Sequence, residues 1–306
     1  MTTIAASGAG TGATAAGAAR ARTRGQTGPA LLLVGPGLLL LVALLLGPLL
    51  QIAVVSFFTH STTKIWVPVV TLANYRRLFD PYYLGVAWTT VKIGLLTTLL
   101  CIVLGYPLAY FLARTRSRFV GVYLFLLITP LMVSSVIRIF GWLVILGRRG
   151  LVNETLRALG LSDGVELLYN TPAVVAGLAE LLLPFMVLPL MAAIENIHPS
   201  VEEAARNLGA GPLQVLRRVL VPMSLPGLVS GSLLVYTVSI SALVTPALMG
   251  GRHVRMLGNL VYDEVLTSLN WPFASSMAVL LLLVTGLVMF FYLRTMRTLG
   301  RQQARA

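Results

Sequence analysis

Charged residues and cysteine are both scarce in this 306-residue sequence. Charged residues make up 11% of the chain, whereas a soluble domain of ordinary composition carries about 25%. The one cysteine, Cys101, excludes a disulfide within the chain and a cysteine metal site, and we interpret it as a small core residue. The two lysines, Lys64 and Lys92, follow Thr63 and Val91, so the chain lacks the Gly-Lys pair of a phosphate-binding P-loop. Composition therefore argues against a soluble domain, and ATP cannot be bound here through a P-loop.

Motifs for hydrolytic catalysis are also absent from the sequence. It contains neither a G-x-S-x-G nucleophile turn nor an H-E-x-x-H zinc motif. The three histidines, His60, His198 and His253, lie in or near three different loops, and their spacing does not suggest a metal site. These absences argue against an intramembrane enzyme.

Long apolar segments dominate what is present. Hydrophobic residues make up 57% of the chain, and the mean hydropathy is +0.87. Six segments are long enough to cross a bilayer, which takes about 20 apolar residues. Because lipid offers no hydrogen-bond partner to the backbone, each should be a helix, and the sequence predicts an all-α membrane protein with about six transmembrane helices. The segments are 31–58, 84–113, 119–146, 173–197, 219–249 and 273–293.

The basic residues indicate which way the chain crosses the membrane. With both termini in the cytoplasm, the inner segments hold thirteen arginines against three acids, Glu195, Glu202 and Glu203. Positive charge on the inner side is the usual topology rule, so the net charge of +13 does not call for nucleic acid as a partner. The four tryptophans fall at the predicted outer ends of spans, as an interfacial aromatic belt would. The arginines are Arg20, Arg22, Arg24, Arg114, Arg116, Arg118, Arg206, Arg217, Arg218, Arg294, Arg297, Arg301 and Arg305.

The loop between the fourth and fifth segments, residues 198–222, is predicted to be cytoplasmic and to contain a short helix over residues 201–209. Ser200 and Glu203 have the spacing of a capping box at its start. Gly209 is placed to end it in the left-handed conformation. An apolar stripe at i, i+3, i+4 and i+7 follows one face and consists of Val201, Ala204, Ala205 and Leu208.

A helix of two turns is not stable alone in water, so this stripe must pack against something. Two surfaces are compatible with the periodicity alone. The helix either packs on the ends of its own protein's spans or is presented to another protein.

One longer motif resembles a known family. Glu203-Ala204-Ala205, then three residues, Gly209, nine residues and Val219-Leu220-Val221-Pro222 is similar to the E-A-A-x3-G-x9-I-x-L-P signature of ABC-importer permeases. In that family the short helix fits a groove on the ATP-binding subunit and is called the coupling helix. The resemblance therefore implies that the ATPase subunit is contacted by Val201, Glu203, Ala204, Ala205, Arg206, Leu208 and Gly209.

Further stretches resemble the type I importer permeases that serve polyamines, opines and phosphonates. The resemblance covers about residues 70–293. It implies a type I permease fold in which residues 30–70 form the first helix and the start of an outer loop, residues 71–293 form the permease domain, and 1–29 and 294–306 are cytoplasmic tails, the first disordered. The stretches are TLANYRRLF (71–79), GYPLAYFLAR (105–114), SSVIRIFGWLVILGRRGLVN (134–153), LPFMVLPL (183–190), VTPALMGG (244–251) and NWPF (270–273).

The resemblance also implies partners and a cellular location. Two ATP-binding-cassette subunits would bind ATP and Mg²⁺, and this chain would bind no cofactor. A second permease, expected to be a related chain rather than a copy, would complete the pathway in the bacterial inner membrane. An extracytoplasmic binding protein would deliver a small polar solute: a spermidine- or putrescine-like compound, an opine, a phosphonate or an amino-acid derivative.

Ionisable residues inside a bilayer are costly and are candidates for function. Arg138 lies in the third segment, four residues before Trp142, and the resembling family has arginine there too. It is compatible with a solute contact, a structural ion pair or an outward snorkel. Glu180 in the fourth segment either pairs with Arg138 or faces the solute.

The fifth segment adds a set of hydroxyl side chains to the predicted solute path. Within it, Ser241-Ala242 stands where relatives that handle polyamines often read Gly-Asp or Gly-Glu. The missing carboxylate, together with Arg138, favours a zwitterionic or anionic solute. The hydroxyl residues are Tyr236, Thr237, Ser239, Ser241 and Thr245.

An ion-coupled secondary transporter is the alternative function. Such a protein usually shows an internal repeat and an acid in the membrane that binds the coupling ion. The sequence offers only Glu180 and no clear duplication, and an ion-coupled mechanism gives no reason for the capped helix in the 198–222 loop.

Overall fold

The structure is a computed structural model that describes residues 27–61, 65–160 and 165–303. The predicted tail 1–29 lies outside these ranges up to residue 26, and a helix begins at Thr27. A short antiparallel hairpin pairs β1 (Phe58–Ser61) with β2 (Ile65–Val70). The helices are α1 (Thr27–Val55), α2 (Ala73–Leu78), α3 (Pro81–Arg114), α4 (Val120–Met132), α5 (Ser135–Leu146), α6 (Leu151–Ala158), α7 (Thr171–Glu195), α8 (Pro199–Asn207), α9 (Pro212–Met223), α10 (Leu225–Ile240), α11 (Leu257–Leu266) and α12 (Trp271–Gln303).

Helix α1, taken by itself, is apolar on all sides. Its leucines from Leu38 to Leu50 are exposed, as expected of a helix whose surroundings are lipid. At the other end of the chain, α12 continues as a helix to Gln303, beyond the predicted boundary at Leu293.

Within the described ranges, four helices are each long and apolar enough to cross a membrane, and two bent pairs raise the number to six. The long helices begin at well-defined caps. The Asp80 side chain accepts from the Tyr82 N–H at 2.9 Å at the start of α3, and Asn170 accepts from the Ala173 N–H at 2.9 Å at the start of α7. The predicted number of spans is thus confirmed, but the third and fifth are not straight.

The third span is broken between α4 and α5. The chain direction turns by 99° between Val120–Met132 and Ser135–Ala158. Val133 and Ser134 are extended at the break, and the preceding turn contains Pro130, whose nitrogen has no hydrogen to donate. The Nη1 of Arg138 donates to the Pro130 carbonyl at 2.9 Å, which joins the two halves.

The fifth span is broken at Ser224, between α9 and α10, with a bend of 73°. Pro222 and Pro226 flank the break and remove two backbone donors. The Ser224 hydroxyl donates to the Leu220 carbonyl at 2.7 Å, and it lies 3.0 Å from the Tyr106 hydroxyl of α3. The bend is therefore tied to a neighbouring helix.

The core of the bundle lies where α3, α7 and α10 pack together. Gly227 and Gly231 of α10 face α7, and a Cβ added at Gly227 would lie 2.6 Å from the Pro189 carbonyl oxygen. This glycine pair therefore allows the two helices to approach closely. Cys101 is fully buried, and its thiol lies 3.7 Å from the Ala179 carbonyl, so it is a core residue as predicted.

Helix α10 ends at Ile240, and residues 241–243 are not helical. A π-helical turn, Pro246–Gly250, follows before α11. The Nδ2 of Asn259 in α11 donates to the Leu243 carbonyl at 2.9 Å. This bond holds the non-helical segment against α11.

Candidate functional site

The short helix of the 198–222 loop is α8, and it begins two residues earlier than predicted. His198 is the N-cap residue, and its Nδ1 lies 3.3 Å from the Ser200 N–H and 2.8 Å from the Ser200 hydroxyl. Ser200 already lies within the helix, so the predicted capping box with Glu203 is wrong. The reason is Pro199, whose fixed φ suits the first helical position.

Gly209 ends the helix as predicted. Its φ is +87°, a left-handed conformation that favours glycine. The Gly209 N–H donates to the Arg206 carbonyl at 2.9 Å, and the Ala210 N–H donates to the Ala205 carbonyl at 3.0 Å. These bonds satisfy carbonyls of the last turn and fix where the chain turns towards α9.

The predicted apolar stripe is divided between two faces of α8. Val201 and Ala205 pack on a small cluster that includes Val215. Ala204 is exposed, and Leu208 is 89% exposed. The helix therefore rests on its own protein with one face and leaves the other uncovered.

The buried face of α8 is fixed by Glu202, a residue that the sequence did not single out. The Nε of Arg114 donates to Glu202 Oε1 at 2.7 Å, and the Tyr110 hydroxyl donates to Oε2 at 2.9 Å. The carboxylate is nearly buried. The spacing of Tyr110 and Arg114, four apart at the end of an apolar helix, was the signal available for finding a polar partner there.

Arg138 and Glu180, predicted to lie on the solute path, form an ion pair. The Nε of Arg138 in α5 lies 3.0 Å from Oε2 of Glu180 in α7. Neither atom is directed into a hydrogen bond, so the attraction is that of charges in contact. The predicted alternative of a structural ion pair is thus the arrangement in the structure, and an outward snorkel of Arg138 is not.

The other predicted path residues do not gather into one cluster. Trp142 is partly buried and packs against the central core. Tyr236 and Ser239 are buried in α10, and their hydroxyls have no hydrogen-bond partner among the described residues. Thr245 is buried beside Gly177, whereas Ser241 is exposed and bonds back to carbonyls of its own helix.

Thr97 of α3 was missed by the sequence. It is fully buried, and its hydroxyl has no partner among the described residues. Within an apolar helix a threonine commonly bonds to its own backbone, as Thr98 does with the Gly94 carbonyl at 2.8 Å, so sequence alone gives no reason to select Thr97.

A groove of about 630 Å³ lies between α5, the segment after α10, and α11, and none of the predicted path residues is part of its lining. Apolar side chains form most of its wall. Arg255 and Asp263 also line it and form an ion pair, with Nη1 of Arg255 3.5 Å from Oδ2 of Asp263. Its lining includes Val136, Phe140, Leu243, Asn259 and Tyr262.

Comparison with known proteins gives concordant results. The family model of the binding-protein-dependent transport system inner membrane component matches residues 101–302. The spermidine/putrescine transport system permease protein PotB of Haemophilus influenzae is 36% identical over 263 residues, which cover 86% of this chain and 92% of that protein. The PotB protein of Escherichia coli K12 is 38% identical over 256 residues, covering 83% and 93%.

The fold is also similar to a solved structure. A chain of the bacterial alginate ABC transporter, in complex with an alginate pentasaccharide-bound periplasmic protein, superposes with a TM-score of 0.70. The match covers 92% of this chain and 97% of that one at 17% identity, so it bears on the fold alone. The chain belongs to the family of binding-protein-dependent transport system inner membrane components, and it is a transport subunit rather than an enzyme.

Proposed function

We propose that this permease is driven by ATP hydrolysed on partner subunits and that α8 is the helix that docks on the ATPase. The observation that carries the proposal is Leu208, a large apolar side chain left 89% exposed at the end of a helix whose opposite face is fastened to the chain. It is the most exposed of the large apolar side chains among the described residues, and it lies in a loop that the charge pattern places outside the membrane, where lipid cannot cover it. Val201 and Ala205 then hold α8 in place, while Glu203, Ala204, Arg206, Leu208 and Gly209 face the ATPase.

Orientation follows the arginines. The loop with α8 and the end of α3 at Arg114 lie on the side where basic residues are concentrated, which is the cytoplasmic side by the usual rule. We place both termini there. ATP and Mg²⁺ are bound by the ATPase subunits in this proposal, two of which pair with this chain and a related second permease.

The charge and chemical class of the solute follow from the relatives and from the environments of Arg138 and Glu180. We propose a small organic cation of the polyamine type, in line with the two PotB relatives, which are permeases of spermidine/putrescine transport systems. Arg138 no longer supports the expectation of an anionic solute, because its guanidinium already contacts Glu180 and the Pro130 carbonyl. Glu180, with a side chain 28% exposed against 8% for Arg138, is the charge that a passing solute meets.

The remaining path residues take a secondary part in this proposal. The hydroxyls of Tyr236 and Ser239, which have no hydrogen-bond partner among the described residues, provide polar atoms at membrane depth. Trp142 packs against the central core and Thr245 lies beside Gly177, and Ser241 is the first residue of the non-helical segment that follows α10.

Docking is tested with Leu208→Asp in the chain co-expressed with its ATPase, binding protein and second permease. A carboxylate on the docking face should abolish co-purification of the ATPase. Leu159→Asp is the matched control, because Leu159 also follows the last turn of a short helix, is also exposed and also precedes a left-handed glycine. Full ATPase recovery with Leu208→Asp would falsify the docking role.

The solute is tested by uptake into proteoliposomes containing the same complex and the solute-loaded binding protein. Labelled putrescine or spermidine should accumulate only when ATP is supplied. ATP-dependent uptake of an amino acid or an oxyanion, with no polyamine uptake, would contradict the cation assignment and leave the docking proposal standing.

A further inference from the structure

Helix α3 carries a polar stripe at its Arg114 end. Tyr106, Tyr110 and Arg114 are spaced four apart, so they lie on one face of the helix. All three side chains contact the segment between α7 and α10. Tyr106 meets Ser224 at the bend, and Tyr110 and Arg114 meet Glu202 in α8. One face of one long helix thus holds both ends of the loop that presents α8.

The contacts at Glu202 occupy both carboxylate oxygens. Oε1 accepts from Arg114, whose Nε and Nη2 both lie 2.7 Å away, and Oε2 accepts from the Tyr110 hydroxyl at 2.9 Å. Arg206, one turn along α8, lies 3.9 Å from Oε2 and adds a weaker, more exposed charge. With both oxygens held by α3, the carboxylate cannot turn without losing a charge-assisted hydrogen bond.

Arg114 reaches a third element as well. Its Nη2 donates to the Ile197 carbonyl at 2.8 Å, in the turn that joins α7 to α8. That turn is where α8 would otherwise pivot relative to the bundle. A single guanidinium therefore fastens the end of α3, the end of α7 and the start of α8 to one another.

The burial of the Glu202–Arg114 pair indicates that it fixes a position rather than adding stability. The Glu202 side chain is 7% exposed and that of Arg114 is 19% exposed. Desolvation offsets much of the attraction in such a pair, so an apolar pair of similar volume would serve stability at least as well. What directed, buried charges add is a fixed relative position, because a small displacement leaves a charge unpaired in a dry site.

We propose that Glu202, Arg114 and Tyr110 are positioning residues that transmit movement of α8 to α3 during transport. This inference rests on the proposed docking of α8 on the ATPase. A helix of 34 residues is about 50 Å long, and α3 packs along α7 and α10. When α8 is displaced, its contacts with α3 through Glu202 therefore move α3 and the bundle core with it, instead of letting α8 pivot at the turn after Ile197.

The test is the amount of solute taken up per ATP hydrolysed by the reconstituted complex. Glu202→Gln keeps the size of the side chain and removes its charge. We expect the ATPase to co-purify as before and uptake per ATP to fall about tenfold, which corresponds to one lost charge-assisted hydrogen bond. Glu195→Gln is the matched control: Glu195 is an exposed carboxylate at the end of α7, and uptake per ATP should not change.

The outcomes distinguish the proposed role of Glu202, Arg114 and Tyr110, the link between α8 and α3, from the docking of α8 on the ATPase. Unchanged uptake per ATP in Glu202→Gln overturns the link, whatever Leu208→Asp does. Loss of ATPase co-purification in Glu202→Gln also overturns it, because Glu202 would then only maintain the docking surface. If Leu208→Asp keeps its ATPase, the docking proposal fails on its own.

A milder variant covers the case in which Glu202→Gln does not accumulate in the membrane. Tyr110→Phe removes one hydroxyl and leaves the ion pair in place. We expect wild-type amounts of complex and a fall in uptake per ATP of about threefold, smaller than for Glu202→Gln because the Arg114–Glu202 ion pair remains. A wild-type ratio in Tyr110→Phe overturns the proposal in that case.

Discussion

The Nε of Arg138 lies 3.0 Å from Oε2 of Glu180, and the arginine is the more deeply buried member of the pair. The same guanidinium donates to the Pro130 carbonyl across the break between α4 and α5. Arg138 therefore serves the architecture of the third span, while Glu180 retains some access to its surroundings. Two intramembrane charges that are equivalent in the sequence have different environments in the structure.

Removing Arg138 alone should be costly. Arg138→Ala leaves Glu180 unpaired and the Pro130 carbonyl without its donor, and we expect a loss of about 3–5 kcal/mol, as for one partner of a buried pair. Thermal unfolding in detergent measures it. The double variant Arg138→Met with Glu180→Leu should recover most of the stability while uptake stays low. Equal stability of Arg138→Ala and the wild type would show that the pair is not buried.

Gly227 provides a test of the packing between α7 and α10. A Cβ at this position would lie 2.6 Å from the Pro189 carbonyl oxygen and 2.5 Å from the Ala193 Cβ. Gly227→Ala should therefore lower the free energy of unfolding by about 1–3 kcal/mol. Gly121→Ala in α4 is the control, because nothing lies within 4 Å of a Cβ there. A melting temperature unchanged by Gly227→Ala would mean that the helices are further apart than described.

Valine variants of Gly209 and Gly160 distinguish the cost of backbone strain from an effect on docking. Its φ of +87° is unfavourable for a β-branched residue, so Gly209→Val should cost about 1–2 kcal/mol and also weaken ATPase association, whereas Gly209→Asn should be better tolerated. Gly160 has a φ of +66° and equally open surroundings in the loop after α6. Gly160→Val should carry a similar stability cost and leave ATPase co-purification intact. Equal loss of the ATPase in both valine variants would indicate a general folding defect.

The bend at Ser224 can be tested with a double-mutant cycle. Tyr106→Phe and Ser224→Ala each remove one end of the 3.0 Å contact between the two hydroxyls. Unfolding by titration with SDS should give an interaction energy of about 0.5–1.5 kcal/mol between the two sites. Strictly additive effects would show that the hydroxyls do not interact.

Sequence patterns were informative where one physical effect dominates. The spans follow from apolar length alone, and the fourth, predicted at 173–197, is Thr171–Glu195 in the structure. Gly209 was predicted to end α8 in the left-handed conformation, and its φ of +87° confirms this. Each of these features is local in the chain or depends on the absence of a side chain.

Features that depend on a distant partner were not predictable in the same way. The α8 stripe was drawn through Ala204 and Leu208 because periodicity considers apolar residues alone. In the structure the buried face turns towards Glu202, since Arg114 supplies a charge from nearly ninety positions away in the chain. The break at Val133 likewise lies inside a segment long enough for one straight span, and although Pro130 and Ser134 stand beside it, only the path of α5 reveals it.

The early end of α10 has a consequence for the membrane itself. Sixteen helical residues reach about 24 Å, which is less than the hydrocarbon thickness of about 30 Å. Residues 241–243 leave the helical pattern, and the bonds that hold them are few: the Ala242 N–H donates to the Ser239 carbonyl at 3.2 Å, and the Leu243 carbonyl accepts from the Ala247 N–H and the Asn259 amide. Because lipid offers no partner to a backbone group outside a helix, we expect water or a second polypeptide rather than acyl chains beside this segment.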